Sequence, residues 1–332
     1  MKKTVSFSKE SANIFFHILT KCNLSCRHCY INPKQHGNKT LSISEIDAWL
    51  GIFAKKSRKP NLIFLGGEPT LHPDLPAAIK KAKELSYNSI TVDTNGYLFN
   101  DILLKTGPDE VDYFSFSLDG ATGKTNDMIR GKGSFNKCIE GIKKSVSMGF
   151  GTSVIYTVSR MNIHELEMMP RILKGLGIDR FFIQVIGVRG ESAKNIEENL
   201  QISRVQWTDI IPGAAQKVAD LGITVTYPKV FLNMDETFEC AANVSDNYFI
   251  FPNGRAYRCP LCEDFPVHSL EVKNNRLCAT KKINENSFFD LNIPEGCVMN
   301  KIIQPENLKY NISGVPEYKI ACCMLKEEIS PD

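Results

Sequence analysis

Short apolar runs rich in branched and aromatic residues alternate with segments of helical spacing, and this alternation leaves few folds open to the chain. The runs fall at 13–19, 61–65, 89–93, 113–118, 153–158 and 181–186. Between them, 44–56, 76–85, 136–148 and 163–175 space their apolar residues by three and four, the period of a helix buried on one side. Ser42-Ile43-Ser44-Glu45 supplies an N-cap with an early acid, and Gly149 and Gly177 stand where C-caps belong. Strands that alternate with helices pair in parallel, with the helices covering the sheet. This pattern allows a doubly wound sheet or an open barrel, and in either one ligands gather at the C-terminal ends of the strands.

Just beyond the first run stands KCNLSCRHCY, with Cys22, Cys26 and Cys29 inside eight residues. Three thiolates on one short loop can hold three corners of an iron–sulfur cluster and leave one iron without a protein ligand. An open metal position invites a substrate or cofactor. The alternative is a zinc knuckle, with His28 or His36 as fourth ligand. The second run, 62–65, leads directly into Gly66, Gly67, Glu68 and Pro69. Two glycines would let a ligand approach the backbone closely, and Glu68 adds an acceptor for a cationic group.

CxxxCxxC followed some forty residues later by GGEP resembles the radical S-adenosylmethionine (radical SAM) superfamily. The resemblance implies a partial (β/α)6 barrel over about residues 10–225. It also implies that Cys22, Cys26 and Cys29 hold a [4Fe–4S] cluster whose open iron chelates the amino and carboxylate groups of SAM, with Gly66, Gly67 and Glu68 at the amino group. Further matches carry further roles. Thr94 and Asn95, in VDTNG, would contact the SAM ribose, although Asn-Gly is also a common turn. Ser117 and Asp119, in SLDG, would face the SAM pocket. Arg130 would approach the SAM carboxylate, a planar task that suits a guanidinium, and a surface salt bridge is the alternative. The family's histidine ahead of that arginine is replaced here by Asn126. Tyr30 would pack on the adenine or simply in the core, and 156–162 resembles the segment lining that base. Gln184 and Arg189-Gly190 also occupy family-like positions. Cys138, on a helical pattern, reads as a small buried hydrophobe.

Composition supports this frame. A chain of 332 residues suffices for one large and one smaller domain. Its 40 basic and 37 acidic residues leave a net charge of +3, which argues for neither a nucleic-acid partner nor a membrane surface. MKKTVSFSKES is followed by no long apolar region, so neither a signal peptide nor a transmembrane span is expected. Eleven cysteines without a secretion signal favour a cytoplasmic, reducing setting and metal ligation over disulfides.

Seven of those cysteines lie beyond residue 235, where helical spacing fades and Pro, Asn and Gly are frequent. A small loop-rich region, about 236–332, needs a staple, and thiolate–metal bonds are the natural one. Cys240, thirteen residues, Gly254, four residues and Cys259 resemble the opening of the SPASM/twitch auxiliary-cluster family. FIFPNGRAYRC reads as a hairpin that would bring these two thiols together. One auxiliary [4Fe–4S] cluster is expected, with Cys240 and Cys259 joined by some of Cys262, Cys278, Cys297, Cys322 and Cys323. The family's continuation CxxCx5CxxxC is missing, which leaves a second cluster open, and zinc is the alternative. Cys322 and Cys323 are adjacent, so their side chains are expected to diverge. One of the two would then be free, and it is a candidate hydrogen donor to a substrate radical.

By resemblance the chain is an enzyme that accepts an electron, from a donor such as flavodoxin or ferredoxin, and cleaves SAM to a 5′-deoxyadenosyl radical. That radical would abstract hydrogen from a peptide or a peptide-derived cofactor precursor. A tetrapyrrole or other small molecule is the alternative substrate, and an iron–sulfur electron carrier is the alternative outside enzymes. The first strand starts by about residue 13, so no N-terminal leader-binding domain is expected.

Overall fold

In the computed structural model, residues 1–5, 12–56, 60–194 and 200–331 are described. Seven parallel strands form the body of the fold: β2 (Ala12–His17), β3 (Pro60–Leu65), β4 (Ser89–Thr94), β5 (Tyr113–Ser117), β6 (Thr152–Val158), β7 (Arg180–Val185) and β8 (Thr224–Pro228). They are hydrogen-bonded in chain order, with a helical segment between neighbours, which is the arrangement of a partial barrel. The six expected strands match β2 to β7 within one or two residues at each end. The seventh, β8, and the helix Arg204–Ala219 before it lie outside the sequence expectation.

Alternation along each strand sorts the side chains. Ala12, Ile14 and Phe16 of β2, like Leu62 and Phe64 of β3, turn outward under the helices and are fully buried. The intervening Phe15, His17 and Leu65 face the lumen and line its cavity. The helix Ile43–Ala54 begins at the Ser42 cap, where Ser42 and Glu45 satisfy each other's backbone in a capping box. Gly149 adopts φ +80°, closing the helix Ser134–Ser147 as its position suggests. The expected helix at 163–175 divides into a 3-10 stretch, Ile163–Met168, and an α-helix, Met169–Lys174. Pro170 is the physical reason, because it lacks the N–H that a continuous α-helix requires there.

The chain beyond β8 does not fold apart from this sheet. It extends both edges. At the β2 edge, β10 (Asp246–Ile250) pairs in parallel and is followed by β11 (Arg255–Tyr257), β12 (Leu270–Lys273) and β13 (Arg276–Ala279). A carboxamide ladder secures the junction, with Asn61 donating to Asn13 at 3.0 Å and Asn13 donating to Asn247 at 2.9 Å. At the β8 edge, β15 (Lys326–Ile329) pairs antiparallel and is covered in turn by β1 (Lys2–Val5). A small separate ribbon joins β9 (Phe231–Leu232) to β14 (Lys319–Ile320). Among the described residues no helix is long and apolar enough to cross a membrane.

Candidate functional site

The three cysteines of the N-terminal loop line one cavity of about 330 Å³ at the C-terminal ends of the strands. The loop is held from several sides. Arg27 N–H donates to Ile129 O at 2.9 Å, and Glu191 N–H donates to Cys29 O at 2.8 Å. Asn95 Nδ2 donates to Asn23 Oδ1 at 2.7 Å. All three cysteines are half-buried, and burial pushes the Cys22 thiol up to about 11 and raises Cys26 and Cys29 as well. Arg130 partly offsets this at Cys26 and Cys29. Such thiols ionise when a metal supplies the positive charge that the protein lacks. Three thiols facing an open cavity therefore fit the three-thiolate side of a cluster with one free iron.

The zinc alternative loses its fourth ligand. His36 is buried and stacked on Phe251, centroids 3.8 Å apart, and its two ring nitrogens bond Glu263 O and Asn32 N–H. His28 turns instead to Asp119, with Nε2 3.2 Å from Oδ2. Among the described residues no three His, Cys, Asp or Glu side chains close on a single point as one ion requires.

Glu68 is the hub of the next layer. Its carboxylate accepts from Thr70 N–H, Thr70 Oγ1, Thr94 Oγ1 and Asn95 N–H at 2.5–3.1 Å. Burial raises its pKa all the same, because a fully enclosed carboxylate has lost its water. Thr94 and Asn95 are thus engaged with Glu68 and the cysteine loop, and both line the cavity. The two glycines line the cavity, and the close packing of the chain behind them is a second reason for glycine at both positions. A Cβ on Gly66 would stand 2.6 Å from Leu19 O, and one on Gly67 would stand 2.3 Å from Lys21 O. It is the chain leading into the cysteine loop that presses against them. Gly67 N–H and Glu68 N–H donate to Leu19 O and Lys21 O, which ties the end of β3 to that loop.

Asp119 is buried and does not line the cavity. Burial works to raise its pKa, but Arg130 and His28 outweigh it and hold the carboxyl down at about 2. Arg130 Nε donates to Asp119 Oδ2 at 2.6 Å, and Thr157 N–H donates to Oδ1 at 2.7 Å. Arg130 is therefore salt-bridged, yet in the interior and facing the cavity, not on the surface. Asn126 keeps a task despite replacing the family's histidine. Its Oδ1 accepts from Asp119 N–H at 2.8 Å and its Nδ2 donates to Ser134 Oγ at 2.9 Å, fixing the turn after β5. Ser117 lines the cavity. Cys138 is buried behind it, its thiol donating to Ser117 O at 3.4 Å.

Tyr30 lines the cavity with its hydroxyl 2.7 Å from His17 Nε2, while the Arg189 guanidinium lies 4.7 Å from its ring centroid. Arg189 is ion-paired with Glu263 and donates to Pro260 O. One arginine thus joins the N-terminal cysteine loop to the segment that carries Cys259 and Cys262. Gln184 lines the cavity beside Thr157.

The C-terminal cysteines come together as a second group. The expected hairpin forms as β10 and β11, with Gly254 at φ +90° in the PNG turn. Cys240, Cys259, Cys297, Cys322 and Cys323 enclose a small apolar cavity with Phe238, Phe288 and Met299. Cys262 is fully buried, and its N–H donates to Cys259 O at 3.2 Å. Two expectations need correction. Cys278 is exposed on β13, opposite Glu271 of β12, because that hairpin carries it to the outer edge of the sheet. The Cys322 and Cys323 side chains do not part company: the turn closed by Leu325 N–H on Cys322 O leaves both lining the same small cavity, where the neighbouring thiol lowers Cys322 and raises Cys323. Cys323, Met324, Pro260 and Leu261 line both cavities and form the wall between them.

Comparison with known proteins agrees with this arrangement. Residues 17–173 match the radical SAM superfamily. The chain is 30% identical over 237 residues to the Fe-coproporphyrin III synthase of Methanosarcina barkeri, covering 70% of this chain and 57% of that protein. It is 28% identical over 163 residues to a probable GTP 3′,8-cyclase of Saccharolobus islandicus, covering 49% and 53%. It thus spans just over half the length of these curated relatives. Its fold resembles anSMEcpe with bound AdoMet (TM-score 0.61, 12% identical, covering 89% of this chain and 88% of that one). It also resembles Streptococcus suis SuiB bound to the precursor peptide SuiA (TM-score 0.60, 17% identical, covering 85% and 64%). The chain belongs to the radical SAM superfamily, whose members work with a [4Fe–4S] cluster and SAM.

Several cavity residues escaped sequence reasoning. His17 lies among apolar strand neighbours, Asp93 precedes the two residues of VDTNG that were singled out, and Lys326 follows the Cys322–Cys323 pair without a pattern of its own. The one available signal was a charged or polar residue at a lumen-facing position of a strand.

Proposed function

We propose that this protein reductively cleaves SAM and uses the resulting radical to abstract hydrogen from an unactivated carbon. The observation that carries the reading is the meeting of Cys22, Cys26 and Cys29 with Glu68, Asn95 and Arg130 on one cavity at the strand ends. Cys22, Cys26 and Cys29 would hold the cluster. When bound, the cluster would pass one electron, taken from an external low-potential donor, to SAM, whose C5′–S bond then breaks to give methionine and a 5′-deoxyadenosyl radical. The chain's own residues bind and orient. Glu68 fixes the turn that would meet the amino group of SAM, and Arg130, steadied by Asp119, would offer its remaining donors to the carboxylate. Phe15, Ile155, Val185 and Phe249 keep the inner wall dry, which protects a reactive carbon radical.

The C-terminal group fits an auxiliary [4Fe–4S] cluster. Crowded thiols, which burial and their neighbours push up at Cys240, Cys259 and Cys297, call for a cationic centre, with Cys322 beside them in the closed cavity. Of the pair at 322–323, Cys323 is the one placed to donate hydrogen, because it reaches the barrel cavity while Cys322 lines only the closed one. The substrate is a peptide or peptide-derived precursor on the strength of SLDG and the hairpin. The identity with Fe-coproporphyrin III synthase favours a tetrapyrrole as second reading.

The test is anaerobic reconstitution, reduction and measurement of 5′-deoxyadenosine. Wild-type protein forms it and Cys26→Ala does not. Undiminished cleavage by that variant defeats the reading.

A further inference from the structure

Lys326 opens β15, at the opposite end of the parallel array from the strands that deliver the cysteine loop and GGEP, and its side chain lines the same cavity. Among the described residues its ammonium meets no carboxylate within 4.0 Å and makes no hydrogen bond. The contact it does make is with the Phe182 ring, 5.7 Å to the centroid. Two groups act on it from a distance, Cys323 on the wall between the cavities and Asp93 across the lumen. Asp93 is engaged with Ser115. The other lumen arginines are already engaged, Arg130 with Asp119 and, in the reading above, with the SAM carboxylate, and Arg189 with Glu263. An ammonium in a cavity that Ile155, Val185 and Pro228 also line, partly stripped of water by burial, has no counter-charge in contact.

Resting on the radical SAM reading above, we propose that Lys326 anchors a carboxylate arm of the substrate, whose apolar body lies along Ile155, Val185 and Phe249 beside Cys323. One free cation with an acid in the same lumen suits a single negative charge. A phosphate would need several cations or backbone donors converging on it. Burial lowers the Lys326 pKa, and a bound carboxylate would restore it. Asp93, pushed up to about 7 by burial, cannot supply a full counter-charge.

The experiment uses equilibrium binding to the full chain, reconstituted with iron and saturated with SAM. The probes are coproporphyrin III, a glutamate-containing pentapeptide and glutarate, each beside its uncharged amide. Wild-type protein is expected to bind at least one acid in preference to its amide. Lys326→Met should weaken that acid about tenfold or more, as loss of a hydrogen bond to a charged group implies. Lys326→Arg should keep most of the affinity, and amide binding should not change. The SAM dissociation constant should stay the same in every variant. Whichever acid wins identifies the arm as tetrapyrrole or peptide. Should Lys326→Met lose iron, Lys326→Gln takes its place. The proposal is overturned if no acid is preferred to its amide, if the variants leave acid binding intact, or if SAM binding falls instead. Preserved acid binding in a protein that never cleaves SAM would refute the proposed function and leave the Lys326 site standing.

Discussion

The two cysteine groups are built from the same side chain and surrounded in opposite ways. The N-terminal three stand on a loop at a roomy cavity, with Arg130, Asn95 and Glu68 beside them. The C-terminal group is enclosed by Phe238, Phe288, Phe289 and Met299 around one small cavity. An open, polar surround leaves room for a small molecule to reach a metal. A closed, apolar one leaves room for the metal centre and little else. What differs is access, and access is set by what each loop packs against. The first loop hangs from the ends of β2 and β3. The second is gathered by the hairpin β10–β11, the helix Val298–Ile303 and the turn before β15.

Iron content makes the sharpest test of that contrast. Reconstituted protein should carry about eight irons, and Cys259→Ala should leave about four while retaining SAM binding. A variant that keeps all its iron, or a wild type with stoichiometric zinc, would erase the distinction between a reactive and a structural group. Glu68→Ala comes next. Removing one carboxylate frees Thr70, Thr94 and Asn95 together, so SAM affinity should fall by about 1.5–3 kcal/mol. The melting temperature should fall with it, because the same carboxylate ties three loops. Calorimetry showing loss of neither would mean that the GGEP acid organises nothing.

Asp93 offers a smaller, pH-dependent effect on the open side. Its folded pKa of about 7 lies above its ordinary value of 3.8, with Ser115, Glu68 and Lys326 around it. Between those limits the folded protein holds a proton that the unfolded chain has released, so its contribution to stability is lost as pH rises toward 7. Asp93→Asn should melt a few degrees above wild type at pH 8, and the gap should narrow at pH 5. Parallel melting curves for the two proteins across that range would contradict the assignment. Smallest of all is Cys278→Ser, expected to change neither iron content nor SAM cleavage, since that thiol lies on the outer edge of the sheet. Iron lost in this variant would place Cys278 back in the closed group.

Much of the barrel was legible because the periodicities are local. Strands β2 to β7 announce themselves by short apolar runs, and the helix Ile43–Ala54 by the Ser42–Glu45 cap. The cysteine loop, GGEP and SLDG were legible as motifs, since each packs its chemistry into a few consecutive residues. Their duties were less so. Gly66 and Gly67 looked like room for a ligand; they do line the cavity, and they also make room for the backbone of Leu19 and Lys21. Asp119 looked like a cavity residue and lies beneath the floor, holding Arg130, His28 and the backbone of Thr157.

What the sequence determined by itself was the alternating order of strands and helices and the content of each loop, because both depend on neighbours in the chain. Tertiary structure alone decided which distant groups share a space. It placed Cys323 on a wall common to both cavities and set Lys326 across the lumen from Asp93. It kept Cys278 out of a group that spacing would have admitted. Those outcomes follow from the two sheet edges that the C-terminal segment occupies. β10 joins β2 and β15 joins β8, and no local pattern encodes which exposed edge a late strand will find.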